Sequence, residues 1–310
     1  MPSLSALACP GSLKGVLANV DAAAALREGF GQVGVAAVAL PVADGGDGTI
    51  AALCEEVGHF DVGDAFGRPR SALIGRRGDA MVVEAAQVLP LDPHRLDALG
   101  ASSRGLGELL AGLRIPRLIV GLGGTATMDG GAGLLEVLDE LPAPTTILCD
   151  VATAYYDAPA TFGPQKGATA DDVAELERRF RASSRLAPFA HLPGSGAAGG
   201  LGAAFAALGA ELVPGAPAIL DLLGFDASAH ALVVTGEGRV DGTTTAGKAP
   251  AVVASRCAAA GTPCVVFGGV VDAPLDDAEC VALSGDPGRA ADDLVELGAR
   301  LGARLLDAAR

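Results

Sequence analysis

The segment Val234–Pro250, VTGEGRVDGTTTAGKAP, constrains the fold of this chain more than any other stretch. It follows an apolar, β-branched run, Ala231–Val234, and it leads into a small-residue helical stretch, Ala249–Ala260. The pattern predicts a strand, a glycine-rich turn and the start of a helix in succession. This succession, together with the small-residue composition of the chain, is typical of an α/β protein.

The same segment carries groups that bind a polyphosphate and its metal ion. Its glycines expose main-chain N–H groups, Lys248 lies at a helix N-terminus, and Glu237 and Asp241 supply carboxylates for Mg²⁺. Gly242–Ala249 nearly matches a Walker A loop, but alanine stands where that motif has the hydroxyl that binds Mg²⁺. We therefore predict a phosphate site of another type; the alternative is an ordinary Gly/Thr-rich loop with solvated charges.

Length and charge limit the classes of function. The chain has 310 residues, half of them hydrophobic, and a formal net charge of −15. This length predicts one large or two medium domains. The acidic balance and the lack of a basic stripe argue against nucleic acid as a partner. A nucleotide is compatible with this charge, because N–H groups, a metal ion and a few lysines set the potential at a local site.

The lysines are informative because each of them lies in a glycine-containing turn: Lys14, Lys166 and Lys248. Lysine is a common phosphate-binding point charge, so this distribution favours anion binding. The six cysteines show no metal-binding spacing, and no apolar run reaches the length of a membrane span. We predict a cytoplasmic protein without a nucleic-acid or membrane partner, and the oligomeric state stays open.

Acids and glycines recur where predicted strands end. A β-α-β opening leads to the loop VADGGDGT, in which Asp44 and Asp47 flank paired glycines. The later strand-end acids are Asp129, Asp150, Glu237 and Asp241. Ligands bind at the carboxyl ends of strands in open α/β sheets, and phosphoryl transfer needs this inventory of acids and N–H donors. Alternatively, each is a turn in which an acid caps the next helix.

Other patterns indicate how the chain divides. A helix is predicted over Ile50–Val57, and short alternating runs from about His59 to Pro90 predict an antiparallel patch in a different domain. Length and pattern together predict that residues 1–58 and 230–310 form one domain around an insert of residues 59–229.

A second glycine-rich segment, GLGGTATMDGGAGLL, follows the predicted strand Arg117–Val120. Gly121, Gly123 and Ala126 match a dinucleotide fingerprint loosely, without a convincing acid at the ribose-binding distance. We interpret the segment as an anion-binding strand-turn-helix element. A nicotinamide-dependent dehydrogenase is the weaker alternative, because it leaves the three lysine turns unexplained.

Seven blocks of the sequence, in order, resemble those of the type-1 glycerate kinase family. They are SLKG, PVADGGDGT, GLGGTATMDGGAGLL, CDV, FGPQKGAT, PGSGAAGGLGAAFAALGAEL and TGEGRVDGTTTAGKAP. The resemblance implies an ATP-dependent kinase that phosphorylates glycerate with Mg²⁺. It also implies a two-domain α/β fold, in which a mixed α/β domain is inserted in a Rossmann- or flavodoxin-like parallel-sheet domain.

The resemblance implies a role for each site residue. Lys14 and Lys248 would bind phosphates or the carboxylate, and Arg239 would neutralise charge in the transition state. Asp44 or Asp150 would orient or deprotonate the attacking hydroxyl. The metal ligands would be Glu237, Asp241 and Asp129. The nucleotide-binding residues would be Gly123, Gly124, Thr125, Lys166, Gly196, Gly236 and Gly238.

The chain departs from the family pattern at a few positions: Gly11, Leu106, Met128 and Ala152–Ala154. Apolar replacements there would remove hydrogen-bond partners, and a site built to bind a hydroxyl tolerates such losses badly. The alternative function is therefore a non-catalytic or substrate-shifted relative that binds a nucleotide or a small organic acid.

Overall fold

The computed structural model describes residues 4–242, 244 and 247–310. The chain packs as two compact units, a discontinuous unit (Met1–Ala43 with Ile219–Arg310) and an inserted unit (Asp44–Ala218). The chain changes unit at 43/44 and 218/219, whereas the sequence predicted the changes at 58/59 and 229/230. The first boundary lies earlier because Ile50 belongs to the second sheet, where its N–H donates to Glu84 Oε1 at 2.7 Å.

Strands and helices are numbered along the chain. The strands are β1 (Ser5–Ala8), β2 (Ala36–Ala39), β3 (Glu56–Gly63), β4 (Pro69–Arg77), β5 (Ala80–Glu84), β6 (Arg117–Gly121), β7 (Thr145–Cys149), β8 (Glu211–Pro214), β9 (Leu232–Val240), β10 (Cys264–Val271) and β11 (Glu279–Ala282). The helices are α1 (Asn19–Gln32), α2 (Thr49–Leu53), α3 (Ala85–Val88), α4 (Arg104–Gly112), α5 (Ala132–Val137), α6 (Ala158–Phe162), α7 (Ala170–Ala182), α8 (Ala197–Ala207), α9 (Gly215–Leu223), α10 (Ala249–Ala260) and α11 (Ala290–Ala308).

The discontinuous unit is built on a five-stranded sheet in the order β11-β10-β9-β1-β2. All neighbouring strands in it run parallel. In the sequence, its central strands are continuous apolar runs, because both faces of such a sheet are buried. Helices α1 and α11 approach closely at a glycine, since a Cβ atom on Gly29 would lie 2.0 Å from the carbonyl oxygen of Val295. The predicted parallel-sheet domain is confirmed.

The inserted unit holds a six-stranded sheet in the order β3-β4-β5-β6-β7-β8. The pairs β3/β4 and β4/β5 are antiparallel, and the pairs from β5 to β8 are parallel. Helices α4, α5, α7 and α8 contribute to its apolar core, which includes Leu106, Met128, Phe180 and Phe205. The antiparallel patch predicted after His59 is present, and the predicted fold class, with one parallel and one mixed sheet in two α/β domains, is confirmed.

One glycine-rich segment is a strand where the sequence predicted a turn. Strand β9 does not end at Val234 but continues to Val240, because β10 pairs with it along its length. Backbone pairing to a neighbouring strand outweighs the low strand preference of glycine. Glu237 and its flanking glycines therefore lie within the sheet.

Two predicted helices differ in their bounds. Helix α2 ends at Leu53, not at Val57, and the chain enters β3 at Glu56, which pairs with Arg76. The helix of the strand-turn-helix element predicted after β6 is α5, which begins only after a long loop from Leu122 to Gly131. In both places tertiary pairing decides the bounds, which local composition leaves open.

Within the part of the chain that the structure describes, no helix combines the length and the apolar character that crossing a lipid bilayer would demand.

Candidate functional site

The loop Asp44–Gly48 lies on the carboxyl ends of β6 and β7 in the inserted unit. The N–H of Gly123 donates to the carbonyl oxygen of Gly45 at 3.0 Å. A Cβ atom on Gly45 would lie 2.6 Å from the carbonyl oxygen of Leu148, and Gly45 has φ +97°. Glycine is required here both for the left-handed backbone and for the close contact with β7.

Three residues predicted for the site come together beside this loop. Asp44 Oδ1 accepts from the N–H of Gly46 at 3.1 Å. A Cβ atom on Gly123 would lie 2.5 Å from the Cα of Gly46 and 3.0 Å from Asp150 Oδ2. Asp44, Asp150 and the backbone of Gly123 therefore lie close together, and both carboxylates are only partly buried. A hydroxyl group bound beside them would have a carboxylate within reach.

Glu84, which sequence analysis missed, forms a hydrogen bond with the backbone directly after the Asp44 loop. Its side chain is 3% exposed, and its Oε1 accepts from the N–H of Ile50 at 2.7 Å, at the start of α2. Burial raises the pKa of Glu84, and the charge of Asp47 adds to the rise while the hydrogen bond from Ile50 opposes it. The sequence did carry a signal for this residue, because Glu84 lies at the end of a strand, β5, as the predicted site acids do.

The loop after β6 places Thr125 in the interior. Leu91 N–H donates to Gly124 O, and Ala126 N–H donates to Leu89 O, both at 2.9 Å. Thr125 is 2% exposed, and its Oγ1 has no hydrogen-bond partner among the described residues. A buried hydroxyl without a hydrogen-bond partner destabilises the folded state by about 1–3 kcal/mol unless a ligand or a water molecule supplies that partner. This position fits the predicted contact with a ligand.

Asp129, predicted as a metal ligand, binds main-chain and hydroxyl donors of the protein. Its Oδ2 accepts from the N–H and the Oγ of Ser103, both at 2.7 Å, and from the N–H of Gly133 at 3.1 Å. Its Oδ1 accepts from the N–H of Gly131 at 3.0 Å. The carboxylate thus joins the starts of α4 and α5. No group of three or more His, Cys, Asp or Glu side chains arranged to hold a metal ion occurs among residues 4–242, 244 and 247–310.

Lys166 is deeply buried in the inserted unit, with 4% exposure. Its Nζ donates to the carbonyl oxygen of Thr127 at 2.9 Å. Burial lowers the pKa of the Lys166 ammonium to about 8, although the charges of Asp150 and Asp129 act in the opposite direction. The three predicted residues Lys166, Asp150 and Asp129 therefore share one electrostatic environment.

Gly196 precedes an unusual turn at the start of α8. Its N–H donates to Thr153 O at 2.9 Å, and a Cβ atom on it would lie 2.4 Å from Ala154 O. The close packing explains the glycine, and the hydrogen bond occupies its N–H. Ala198, with φ +53°, is the single non-glycine residue with positive φ in the described ranges, and Gly199 and Gly200 continue in the left-handed region.

In the discontinuous unit, the start of the chain lies along β9. Gly11 N–H donates to Gly236 O at 2.9 Å, and a Cβ atom on Gly238 would lie 3.6 Å from the backbone nitrogen of Lys14. Gly236 packs so closely on β10 that a Cβ atom would lie 2.2 Å from the carbonyl oxygen of Phe267. The glycines bring the SLKG turn against the strand, and Lys14 itself is exposed.

Glu237 is the centre of a polar cluster in this unit. Its Oε1 accepts from Thr244 Oγ1 at 2.8 Å, and Lys248 Nζ lies 3.4 Å from its Oε2. Thr244 is fully buried, and its Oγ1 also accepts from the N–H of Asp241 at 3.0 Å. The hydroxyl of Thr244 thus joins the carboxylate of Glu237 to the main chain at Asp241, and Lys248 pairs with Glu237. Thr243, Thr245 and Ala246 of the predicted turn lie outside the described residues.

Arg239 lies in β9 between Glu237 and Asp241, and Ser12 lies in the turn whose preceding residue, Gly11, hydrogen-bonds to this strand. Arg239 forms an ion pair with Asp272 at 2.7 Å, with both side chains about half exposed. Such a pair contributes little stability and leaves the guanidinium within reach of solvent. Ser12 Oγ is buried without a hydrogen-bond partner in the described part of the chain, so an unmet hydroxyl lies in the turn that carries Lys14.

Two departures from the family pattern are core residues. Leu106 and Met128 are both 0% exposed and belong to the apolar core of the inserted unit. Their apolar side chains are therefore matched to their surroundings. At the departure Ala152–Ala154, main-chain oxygens make the contacts with Gly196. Thr153 O accepts its N–H, and Ala154 O lies close to its backbone.

Comparisons with known proteins agree with this architecture. A model of the glycerate kinase family matches residues 6–141 and 142–285. A protein of Bacillus subtilis (strain 168) named glycerate kinase is 32% identical over 322 residues, which cover 84% of this chain and 84% of the relative. A protein of Escherichia coli (strain K12) named glycerate 2-kinase is 33% identical over 304 residues, which cover 79% and 80%.

A solved structure extends the comparison to the whole fold. The crystal structure of a protein from Salmonella typhimurium LT2, provisionally named glycerate kinase 2, matches with a TM-score of 0.80. The match covers 98% of this chain and 99% of that chain at 28% sequence identity. The similarity therefore spans both units, and the family model covers most of the sequence. This chain belongs to the glycerate kinase family.

Proposed function

We propose that this protein transfers the terminal phosphoryl group of ATP to a hydroxyl group of glycerate, with Mg²⁺, in the cytoplasm. The observation that carries the proposal is the meeting of Asp44, Asp150 and the Gly123 backbone at the ends of β6 and β7. Family membership supplies the kinase class. The use of ATP as the phosphoryl donor and the requirement for Mg²⁺ both belong to this proposal.

Asp44 and Asp150 are the proposed acids at the acceptor hydroxyl. Each is partly buried and lies beside the backbone of Gly46 and Gly123, where an added Cβ atom would come too close to the neighbouring atoms. A carboxylate there can orient the hydroxyl and accept its proton as the oxygen attacks phosphorus. Asp44 Oδ1 accepts from the N–H of Gly46, which fixes the orientation of this carboxylate.

Glu237 and Asp241 are the proposed Mg²⁺ ligands. Mg²⁺ is usually held by one or two carboxylates together with substrate phosphates and waters. Glu237 supplies one carboxylate, and Asp241, whose main chain is joined to it through Thr244, is proposed to supply the second. Mg²⁺ bound to ATP would supply charge neutralisation on the phosphate oxygens. Lys248 and Lys14 are the proposed phosphate-binding cations, Lys248 beside Glu237 and Lys14 exposed in its turn. The unmet hydroxyls of Ser12 and Thr125 fit polar contacts to ligand oxygens.

The structure adjusts several proposed roles. The N–H groups of Gly123 and Gly196 are occupied, so we assign these glycines to close packing. Gly124, Gly236 and Gly238 remain proposed backbone elements of the ligand site. Asp129 is better assigned to the starts of α4 and α5 than to a metal. Arg239, whose ion pair with Asp272 is exposed to solvent, remains proposed to place its positive charge near the phosphates.

The non-catalytic alternative gains no support from the core departures. Leu106 and Met128 fill the apolar core and take no polar group away from the Asp44 loop. The acids and lysines proposed for the site are present, and the chain departs from the family pattern at Gly11 and Ala152–Ala154. We therefore favour a catalytic protein.

A coupled ADP-release assay with MgATP and D-glycerate tests the proposal. Asp44→Asn and Asp150→Asn should identify the acid at the hydroxyl, since its loss should lower kcat by about 10²–10⁴-fold. The double variant Glu237→Gln/Asp241→Asn should raise the Mg²⁺ concentration needed for half-maximal rate. Glu279→Gln, which breaks an exposed ion pair with Arg304 in the discontinuous unit, is the matched control. Folded wild-type protein with no turnover of glycerate would disprove the proposal.

A further inference from the structure

Helix α2 begins without a capping side chain of its own. Its N-cap residue is Gly48, which lies in the left-handed region with φ +86°. The first N–H groups of a helix have no partner inside the helix, and a side-chain oxygen of the N-cap residue usually accepts one of them. Glu84, at the end of β5, supplies the missing acceptor, because its Oε1 accepts from the N–H of Ile50 at 2.7 Å. The start of α2 is thereby fixed to the sheet.

Short hydrogen bonds connect the start of α2 with Asp44. Thr49, the residue before Ile50, is fully buried, and its Oγ1 donates to the carbonyl oxygen of Gly46 at 2.7 Å. The N–H of Gly46 donates in turn to Asp44 Oδ1 at 3.1 Å. The carboxylates of Glu84 and Asp44 are thus joined through hydrogen bonds of ordinary length. A shift of the start of α2 would therefore move Asp44.

The strand register places Glu84 beside the surface on which the Asp44 loop packs. Glu84 is the partner of Gly121, the last residue of β6. A Cβ atom on Gly121 would lie 2.4 Å from the carbonyl oxygen of Gly45, so the loop contacts the end of β6 directly. The loop is therefore held by backbone contact at β6 and by Glu84 at the start of α2.

Burial of the Glu84 side chain shows how it can act on the site. The side chain is 3% exposed, and burying a carboxyl group is unfavourable unless hydrogen bonds offset the loss of water. Its donors come from the start of α2 and from Gln87, whose Nε2 lies 3.4 Å from Glu84 Oε2. Glu84 therefore acts on the site through the Asp44 loop and not by contact with a substrate.

We propose that Glu84 is a positioning residue for phosphoryl transfer, which holds Asp44 in the orientation that meets the acceptor hydroxyl. This inference rests on the proposed kinase function, in which Asp44 orients the hydroxyl or accepts its proton. An amide oxygen can accept the same N–H, so the role requires an acceptor of the right length at position 84 and not its negative charge. Misplacing a group at the reacting atoms by about 1 Å lowers the rate by about 10²-fold.

A double-mutant cycle with Asp44 distinguishes positioning from a general loss of structure. Glu84→Met keeps the side-chain length and removes the acceptor, and it should lower kcat for D-glycerate by about 10- to 100-fold in otherwise wild-type protein. In the Asp44→Asn background the same change should alter kcat by less than about twofold, because no carboxylate is left to position. The KM for MgATP should stay within about twofold of wild type in all variants of the cycle.

The conservative variant Glu84→Gln should keep at least about half of the wild-type kcat, because glutamine offers an oxygen to the N–H of Ile50. Glu84→Asp, whose carboxylate is one methylene group shorter, should lose activity as Glu84→Met does, and it replaces that variant in the cycle if the methionine variant does not fold. Glu56→Met removes an exposed acid from β3 of the same sheet, and its kinetics should match those of wild type. Circular dichroism establishes that each variant is folded under the assay conditions.

The outcomes separate this inference from the kinase proposal. If wild type phosphorylates glycerate and the loss at position 84 is equal in both backgrounds, the positioning role alone is overturned. Wild-type kcat in folded Glu84→Met overturns it as well, and so does a loss in Glu84→Gln as large as that in Glu84→Met. Wild-type kcat in Asp44→Asn would do the same, because Asp44 would then not act at the hydroxyl. Folded wild type without turnover of D-glycerate overturns both proposals.

Discussion

The N–H of Gly123 donates to the carbonyl oxygen of Gly45 at 3.0 Å, and this bond holds the Asp44 loop on the ends of β6 and β7. The two backbones meet because neither residue carries a side chain there: Cβ atoms would lie 2.5 Å from Gly46 Cα in one case and 2.6 Å from Leu148 O in the other. Both short contacts would be with backbone atoms, which cannot move aside as a flexible side chain can. The arrangement of Asp44 and Asp150 therefore depends on glycine at both positions.

Gly123→Ala should lower kcat/KM for D-glycerate by at least about 10²-fold, because the new methyl group displaces the Asp44 loop and contacts Asp150 Oδ2. The measurement is steady-state kinetics with MgATP in excess. Gly58→Ala is the matched control, since a Cβ atom there meets no atom within 4 Å. Equal kinetics of Gly123→Ala and Gly58→Ala would contradict the packing account.

Glu84→Gln should change how stability depends on pH. Burial raises the folded-state pKa of Glu84 above 4.5. Between the two pKa values the folded state holds more protons than the unfolded state, so the stability of wild type falls as pH rises through this window. Urea unfolding from pH 4 to pH 7 should show the free energy of unfolding of wild type falling relative to Glu84→Gln. Parallel curves for the two proteins would show that Glu84 titrates normally.

The layered α/β fold could be predicted from sequence because buried parallel strands are continuous apolar runs that end in glycine and acid. Strand β9 was predicted too short, since Gly236 and Gly238 suggest a turn and only pairing with β10 reveals the strand. The unit boundary near Asp44 was also misplaced, because the contact of Gly45 with Leu148 O joins residues far apart in the chain. Local composition carries no signal for such contacts.

The site was predictable where chemistry-bearing residues follow strands, as for Asp44, Asp150 and Glu237. Sequence could not tell which acids serve the structure. Asp129 has the same appearance as Asp150 in sequence, yet its oxygens accept from Ser103, Gly131 and Gly133. That difference depends on where α4 packs in three dimensions.

Asp129→Ala should lower the free energy of unfolding by about 2–4 kcal/mol, because it leaves main-chain donors of α4 and α5 without their charged acceptor. Thermal unfolding monitored by circular dichroism measures the loss. Asp139→Ala, an exposed acid in the same unit, is the control and should cost less than about 0.5 kcal/mol. If Asp129→Ala were as stable as the control, the structural role would be wrong.

Thr244→Val should weaken Mg²⁺ binding, because the hydroxyl that links Glu237 Oε1 to the N–H of Asp241 is lost while the side-chain volume is kept. We expect the half-saturating Mg²⁺ concentration to rise about 10-fold, in line with the loss of a group that orients metal ligands. Thr244→Ser retains the hydroxyl and should behave like wild type. Identical Mg²⁺ titrations for valine and serine variants would remove Thr244 from the cluster.

Lys166→Met should remove a pH effect on stability that is specific to a buried lysine. The folded-state pKa of Lys166 is about 8 against 10.5 for an ordinary lysine. Between these values the unfolded state holds the proton that the folded state has released, so the free energy of unfolding of wild type rises with pH, by at most about 3 kcal/mol. Relative to Lys166→Met, ligand-free wild type should therefore gain stability from pH 8 to pH 10.5. Arg178→Met, which removes an exposed cation from α7 of the same unit, should keep a constant difference from wild type. If the Lys166→Met difference were equally constant, the ammonium would be solvated in the ligand-free protein, and its burial would not shift its titration.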